Sequence, residues 1–129
     1  MGAANHDRVV PIESQSPLHV RQAYAAVADE EGYENGHSYS GDFGSKDGPP
    51  IVVATIEATA AQLNTLAGAL WGALWAKDGE VNVQTIAALA LLAKVADLPR
   101  TLTIMDDKWG QPAAIVGTDH ALFIGMCSE

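Results

Sequence analysis

An almost uninterrupted apolar run occupies residues 86–96, where Lys94 is the only polar residue. A helix formed by this run is apolar on nearly every side, which predicts burial on several sides rather than on one face. Asn82 is a suitable cap for the start of the helix, and Pro99 favours an end near Asp97. The run needs neighbours that cover it, so it restricts the chain to folds with a substantial apolar core.

A second predicted helix precedes this run and begins at Thr59, which has the capping-box spacing to Gln62. It ends near Ala76, and a short turn joins the two helices into an αα-hairpin. Helical spacing gives it two adjacent apolar faces: Leu63, Leu66, Leu70 and Leu74 on one, and Ala67, Trp71 and Trp75 on the other. Small residues let another helix approach closely. We therefore expect a homodimer through the hairpin, with an interface of Gly68, Trp71, Gly72 and Trp75.

The N-terminal third predicts one helix. Residues 1–15 form a flexible arm or an edge strand, and residues 16–129 form a single domain. Ser16 can cap a helix that has Pro17 in its first turn. This helix runs to Glu31, and Gly32 ends it.

Short apolar and β-branched segments predict the strands. Residues 37–43 alternate and form a β-hairpin with residues 51–56, across a turn rich in glycine and proline. Three further strands close the chain, at residues 101–106, 112–118 and 121–126. The predicted fold class is α+β: a small antiparallel sheet of about five strands, packed against the N-terminal helix and the buried αα-hairpin.

The chain is strongly acidic. Sixteen Asp and Glu residues oppose seven Lys and Arg residues, which gives a net charge of −9. Nucleic acids and anionic membranes attract proteins through Lys and Arg, so this charge argues against direct binding to either. Cys127 is the only cysteine, which excludes an internal disulfide. No secretory signal pattern opens the sequence, so we expect a cytoplasmic location.

Five of the twelve glycines lie in residues 32–48, which makes this segment a candidate ligand site. His37, Tyr39 and Asp42 are its acid–base groups. On an alternating strand Asp42 points away from the other two, so a plain glycine-rich hairpin is the competing interpretation. The segment lacks the glycine patterns that cradle phosphates, and the chain lacks metal-ligand spacing. We expect no cofactor, no metal and no catalytic residue.

Six carboxylates lie within residues 29–47, a range that overlaps the glycine-rich segment. Such a cluster forms either a solvated face or a surface that imitates phosphates, because an Arg side chain binds both groups with the same fork. Acids at the C-terminal end of a helix oppose its dipole, which favours a role outside the helix. The predicted partner-binding residues are Asp29, Glu30, Glu31, Glu34, Asp42 and Asp47.

The run Glu30-Glu31-Gly32-Tyr33, followed by His37-Ser38-Tyr39-Ser40-Gly41, comes after a helix that contains Arg21-Gln22-Ala23. It resembles small uncharacterised proteins of phages and mobile elements, in which a helix ending in acids and a glycine precedes a Tyr-Ser-Gly or Tyr-Asn-Gly strand. The resemblance covers roughly a quarter of the chain. It implies a mobile-genetic-element origin and carries no known activity or site residues.

The leading hypothesis is a non-enzymatic, acidic protein-binding module that covers a basic, nucleic-acid-binding surface of a partner protein. A phage or mobile-element inhibitor of the anti-CRISPR or immunity-protein kind acts in this way. One alternative is a small enzyme or ligand-binding domain that uses residues 32–48. Another is an accessory subunit that docks through its apolar helical hairpin.

Overall fold

A computed structural model describes residues 3–35, 43, 49–75, 86–107 and 110–128. In chain order the elements are β1 (Ala3–Pro11), α1 (Pro17–Asn35), β2 (Ile51–Thr55), α2 (Ala60–Leu74), α3 (Ile86–Ala93), α4 (Leu98–Asp106), β3 (Ala113–Val116) and β4 (His120–Ser128). The α+β class is confirmed.

The four strands form one mixed sheet in the order β1-β4-β3-β2. β4 pairs antiparallel with β1 and with β3, while β2 runs parallel to β3. The antiparallel pairing of β3 with β4 confirms the predicted strands at residues 112–118 and 121–126. In this pairing Ile115 lies opposite Leu122, and Val9 of β1 lies opposite Leu122 from the other side.

Both faces of the sheet are covered by helices. Every residue of β3 is buried, as are residues 121–127 of β4, so these strands read as continuous apolar runs. One face packs on α2, α3 and α4 through Ala113, Ile115, Leu122 and Ile124. The other face packs on α1 and Phe43 through Ala114, Val116, Ala121, Phe123 and Cys127.

Two of the predicted helix starts are confirmed. The Ser16 hydroxyl accepts the backbone N–H of His19 at 3.3 Å, and α1 begins at Pro17. At the start of α2, the Thr59 hydroxyl accepts the N–H of Gln62, whose side chain in turn accepts the N–H of Thr59. The end of α1 was predicted wrongly, since the helix continues through Gly32 to Asn35.

The predicted strand at residues 101–106 is wrong, because these residues belong to α4. The Asp97 carboxylate accepts the N–H of Arg100 and caps the helix, and Pro99 lies in its first turn. A proline in that position begins a helix, and α3 ends at Ala93, before the predicted end near Asp97. Thr101 and Met105 are the buried residues of α4, and they are four residues apart, as a helical face requires.

The sheet differs from the prediction in strand number and direction. It has four strands in the described part of the chain, and it is mixed rather than antiparallel. β2 takes β3 as its parallel partner. The hairpin partner expected for β2, residues 37–43, lies outside the described residues except for Phe43. Residues 1–15 contain β1, which pairs with β4 along its whole length.

The hairpin of α2 and α3 is only partly buried. α3 packs Ala88, Leu91 and Leu92 into the core, but Ile86 is 87% exposed and Leu89 is 50% exposed. The expected burial of this helix on several sides is therefore wrong, since the part of the chain that the structure describes covers only one of its faces. Among the described residues, no helix has the length and apolar character needed to cross a membrane.

We predict that Gly117→Ala destabilises the fold. A Cβ atom at Gly117 would lie 2.8 Å from the carbonyl oxygen of Ala58 and 3.0 Å from that of His120, and backbone atoms cannot move aside cheaply. The expected loss is about 1–3 kcal/mol in the free energy of unfolding, measured by urea denaturation. Asp119→Ala is the matched control because its side chain is exposed in the same turn. Equal stability of the two variants would contradict this packing.

Candidate functional site

Three consecutive acids near the end of α1 have different surroundings. Asp29 and Glu30 are exposed, whereas Glu31 is buried with 5% of its surface exposed. Successive helix residues are turned by about 100°, so neighbours in sequence cannot all face the same side. The helix therefore directs one carboxylate into the protein and two into the solvent.

The buried carboxylate of Glu31 joins three parts of the chain. Its Oε2 atom accepts hydrogen bonds from His6 Nε2 at 2.9 Å and from Arg8 Nη1 at 3.0 Å. Its Oε1 atom accepts the backbone N–H of Phe43 at 3.1 Å. His6 and Arg8 are two residues apart on β1, so strand alternation places both on the face that α1 covers. We call Glu31, His6, Arg8 and Phe43 the Glu31 cluster.

The Glu31 cluster keeps the carboxylate ionised. Burial by itself raises the pKa of Glu31, because a charge is poorly solvated inside a protein. The hydrogen bond and charge of His6, the N–H of Phe43 and the hydrogen bond of Arg8 oppose this effect. Together they outweigh burial and leave the pKa of Glu31 below its usual 4.5.

Aromatic contacts complete the Glu31 cluster on its inner side. The His6 ring meets the Phe43 ring edge-on at 4.5 Å, and Tyr24 packs against both Phe43 and Phe123. Both carboxylate oxygens of Glu31 already accept hydrogen bonds from the chain itself. The cluster therefore acts as a structural clamp between β1, α1 and Phe43, and Glu31 is not part of an exposed docking surface.

Asp29 and Glu30 form the exposed acidic pair of α1. Within the described part of the chain, no Lys, Arg or His lies within ion-pair distance of either carboxylate. The basic residue of β1, Arg8, is directed to Glu31 instead. The prediction that Asp29 and Glu30 bind a partner stays a prediction, on a surface whose charge the described residues do not neutralise.

The side chains of Glu34, His37, Tyr39, Asp42 and Asp47 lie outside the described residues. The alternative ligand site of His37, Tyr39 and Asp42 therefore stays a prediction. The described part of the chain contains no group of three His, Cys, Asp or Glu residues that could hold a metal ion.

The residues of the predicted oligomer interface differ in whether they are exposed or contact their own chain. Gly68 and Trp75 are exposed on α2 or directly after it, and Gly72 is half-buried. The indole N–H of Trp71 donates to the Asp7 carboxylate of β1 at 2.8 Å. Trp71 thus contacts its own chain, and it holds α2 against the sheet.

A group that sequence reasoning missed lies at the start of α1. The Ser14 hydroxyl and His19 Nδ1 are 2.6 Å apart, and His19 Nε2 is 3.3 Å from Glu13 Oε2. This order of groups occurs in nucleophilic catalysis. Here, however, Glu13 is 84% exposed, and the Ser14 hydroxyl also accepts the N–H of Ser16. These contacts order the turn before α1, which Ser16 caps, and their spacing across that turn gives no sequence motif.

Comparisons of the chain with models of known protein families, with curated proteins and with solved structures find no match.

We predict that Glu31→Gln destabilises the protein. The amide keeps the shape of the side chain but removes the negative charge that Arg8 and His6 contact, and it leaves polar groups poorly paired. The free energy of unfolding should fall by about 1–3 kcal/mol at neutral pH. Glu30→Gln makes the same chemical change on the exposed neighbour and should cost less than about 0.5 kcal/mol. Similar losses in the two variants would show that the clamp contributes nothing.

The stability difference between wild type and Glu31→Gln should depend on pH. The pKa of Glu31 is lower in the folded chain than its usual 4.5. Its ionised form therefore stabilises the fold above that value, and this contribution disappears as the pH falls through the folded-state pKa. Urea unfolding between about pH 7 and about pH 3 should show the difference shrinking. A constant difference across this range would contradict the lowered pKa.

Proposed function

We propose that this chain is a non-enzymatic, acidic binding protein that covers a basic, nucleic-acid-binding surface of a partner protein. The observation that carries the proposal is the exposed acidic pair, Asp29 and Glu30, on a helix that the Glu31 cluster fixes to the sheet. The pair has no described cationic partner within the chain.

The orientation of the pair supports this use. Glu31 binds inward through its three hydrogen bonds, so α1 cannot rotate to bury Asp29 or Glu30 without breaking them. A surface held in this way loses little conformational freedom when it binds. Arg side chains that grip phosphate oxygens can grip carboxylate oxygens with the same geometry.

The overall charge supports the same class of partner. A net charge of −9 attracts a basic surface over several ångströms and speeds the encounter, while it disfavours direct contact with nucleic acid. An inhibitor encoded by a phage or mobile element is consistent with the resemblance carried by residues 21–41. A ligand-binding function for residues 32–48 has no described side-chain geometry in its favour.

We predict that removing the exposed acidic pair weakens partner binding. The test uses wild type to capture proteins from nuclease-treated host extract, followed by affinity measurements with the purified partner. The double variant Asp29→Asn/Glu30→Gln should bind about tenfold more weakly, or worse, because two charge-assisted contacts are lost. Added salt should weaken wild-type binding.

The matched control is the double variant Glu57→Gln/Asp106→Asn. It changes the net charge by the same amount at exposed positions outside α1. Its affinity for the partner should stay within about threefold of wild type. The proposal also requires that wild type displaces nucleic acid from the partner. It fails if both double variants lose affinity equally, or if partner and nucleic acid bind together undisturbed.

A further inference from the structure

A pocket of about 220 Å³ lies between the segment that follows β1 and the first two turns of α1. Its lining combines three apolar residues with three polar ones, namely Pro11, Ile12 and Ala23 with Glu13, His19 and Gln22. Pockets that hold drug-sized ligands are larger, at roughly 300–1,000 Å³. The size of this pocket therefore suits a single side chain better than a cofactor.

The negative charge of the pocket is on Glu13. Its Oε2 atom lies 3.3 Å from His19 Nε2, and most of the side chain is exposed. Among the residues that the structure describes, its Oε1 atom has no polar partner. A carboxylate in this position can accept the paired N–H groups of a planar guanidinium.

The hydrogen bonds of His19 assign its tautomer. The Ser14 hydroxyl lies 2.6 Å from His19 Nδ1, and its oxygen already accepts the N–H of Ser16. The hydroxyl hydrogen is therefore directed to Nδ1, and the proton of the neutral imidazole is on Nε2, next to Glu13. A ring in this form carries no charge that repels a cation, and it offers a flat face on which a planar cation can stack.

The balance of charge at the pocket favours a cation. The N-terminal end of a helix carries about half of a positive elementary charge, which the full negative charge of Glu13 exceeds. Arg21, the basic residue of α1, is exposed and does not line the pocket. The net charge of −9 adds a long-range attraction for cations. The same sign disfavours phosphates and carboxylates as occupants.

The pocket and the exposed acidic pair lie on the same face of α1. Gln22 and Asp29 are seven residues apart, and so are Ala23 and Glu30. Seven residues make nearly two full turns, so the members of each pair point in directions that differ by only about 20°. The pocket and the acidic pair are therefore separated by about 10 Å along α1. One basic surface laid along the helix can contact both.

We propose that this pocket binds an arginine side chain from the basic surface of the partner. Two N–H groups of the guanidinium donate to the Glu13 carboxylate, and the plane of the guanidinium stacks on the His19 ring. The aliphatic stem of the arginine lies against Ile12 and Ala23. Lysine has the charge but not the plane, so it binds less well. The inference rests on the proposed function, which supplies the partner, and it adds an anchoring contact beside the acidic pair.

Titration of the isotope-labelled full chain with N-acetyl-arginine amide, followed by NMR, tests the pocket without the partner. The backbone amide resonances of His19 and Gln22 should shift saturably. The dissociation constant should be on the order of millimolar, because only one side chain is held. N-acetyl-citrulline amide has nearly the same shape but no charge, and it should give no saturable shift. N-acetyl-lysine amide should bind about threefold more weakly, or worse.

Glu13→Gln keeps the shape of the side chain and removes its charge, so it should raise this dissociation constant by about fivefold or more. Glu57→Gln is the matched control, because Glu57 is also exposed just before a helix and its replacement changes the net charge equally. It should leave the dissociation constant within about twofold of wild type. The proposal is overturned if no saturable shift appears, if the citrulline or lysine derivative binds as tightly as the arginine derivative, or if the two variants bind equally.

The source of the side chain is tested separately, with the purified partner. Glu13→Gln should weaken partner binding by about fivefold or more, whereas Glu57→Gln should not. If the arginine derivative binds but the affinity for the partner does not respond to Glu13→Gln, the partner does not use the pocket and the proposal is overturned. A partner that ignores Asp29→Asn/Glu30→Gln instead removes the proposed function and leaves the result of the titration unchanged.

Discussion

The burial of the β3–β4 pair on both faces is the constraint on which the rest of the structure depends. Strands with apolar side chains on both sides cannot leave either face to water, so the chain must supply two layers of cover. α1 and Phe43 provide one layer, and α2, α3 and α4 provide the other. This division also keeps the exposed acids of α1 apart from the exposed apolar side chains of α3, because they belong to opposite layers.

Local signals in the sequence predicted several elements correctly. The capping residues before α1 and α2 act through neighbours three residues away, and the β3–β4 pairing follows from two apolar runs joined by a short turn. Predictions of pairing between residues that are far apart in sequence failed. The partner of β2 is β3, which is separated from it by three helices. Pro99 was ambiguous because proline both ends one helix and begins the next.

The candidate site was only partly predictable for the same reason. Asp29, Glu30 and Glu31 are alike in residue type, and only Glu31 continues the buried stripe of α1. The partners that hold its carboxylate there, His6 and Arg8 on β1, are not evident from the helix sequence. Those residues lie more than twenty positions away. The all-apolar composition of α3 likewise indicated that its surface needs cover. Composition alone does not show which residues of α3 the rest of the chain covers. Ile86 and Leu89 are the large apolar residues of α3 that stay exposed.

β1 contains charged or ionisable residues directed to both faces of the sheet. His6 and Arg8 meet Glu31 on one face, while Asp7 between them meets Trp71 on the other. A shift of the strand by one residue would exchange the faces and bring the Asp7 carboxylate towards that of Glu31. Like charges would then meet in a poorly solvated place. The alternation of sign along this edge strand therefore favours the observed register of β1 on β4 over the register shifted by one residue. Apolar side chains of similar size would not distinguish these two registers.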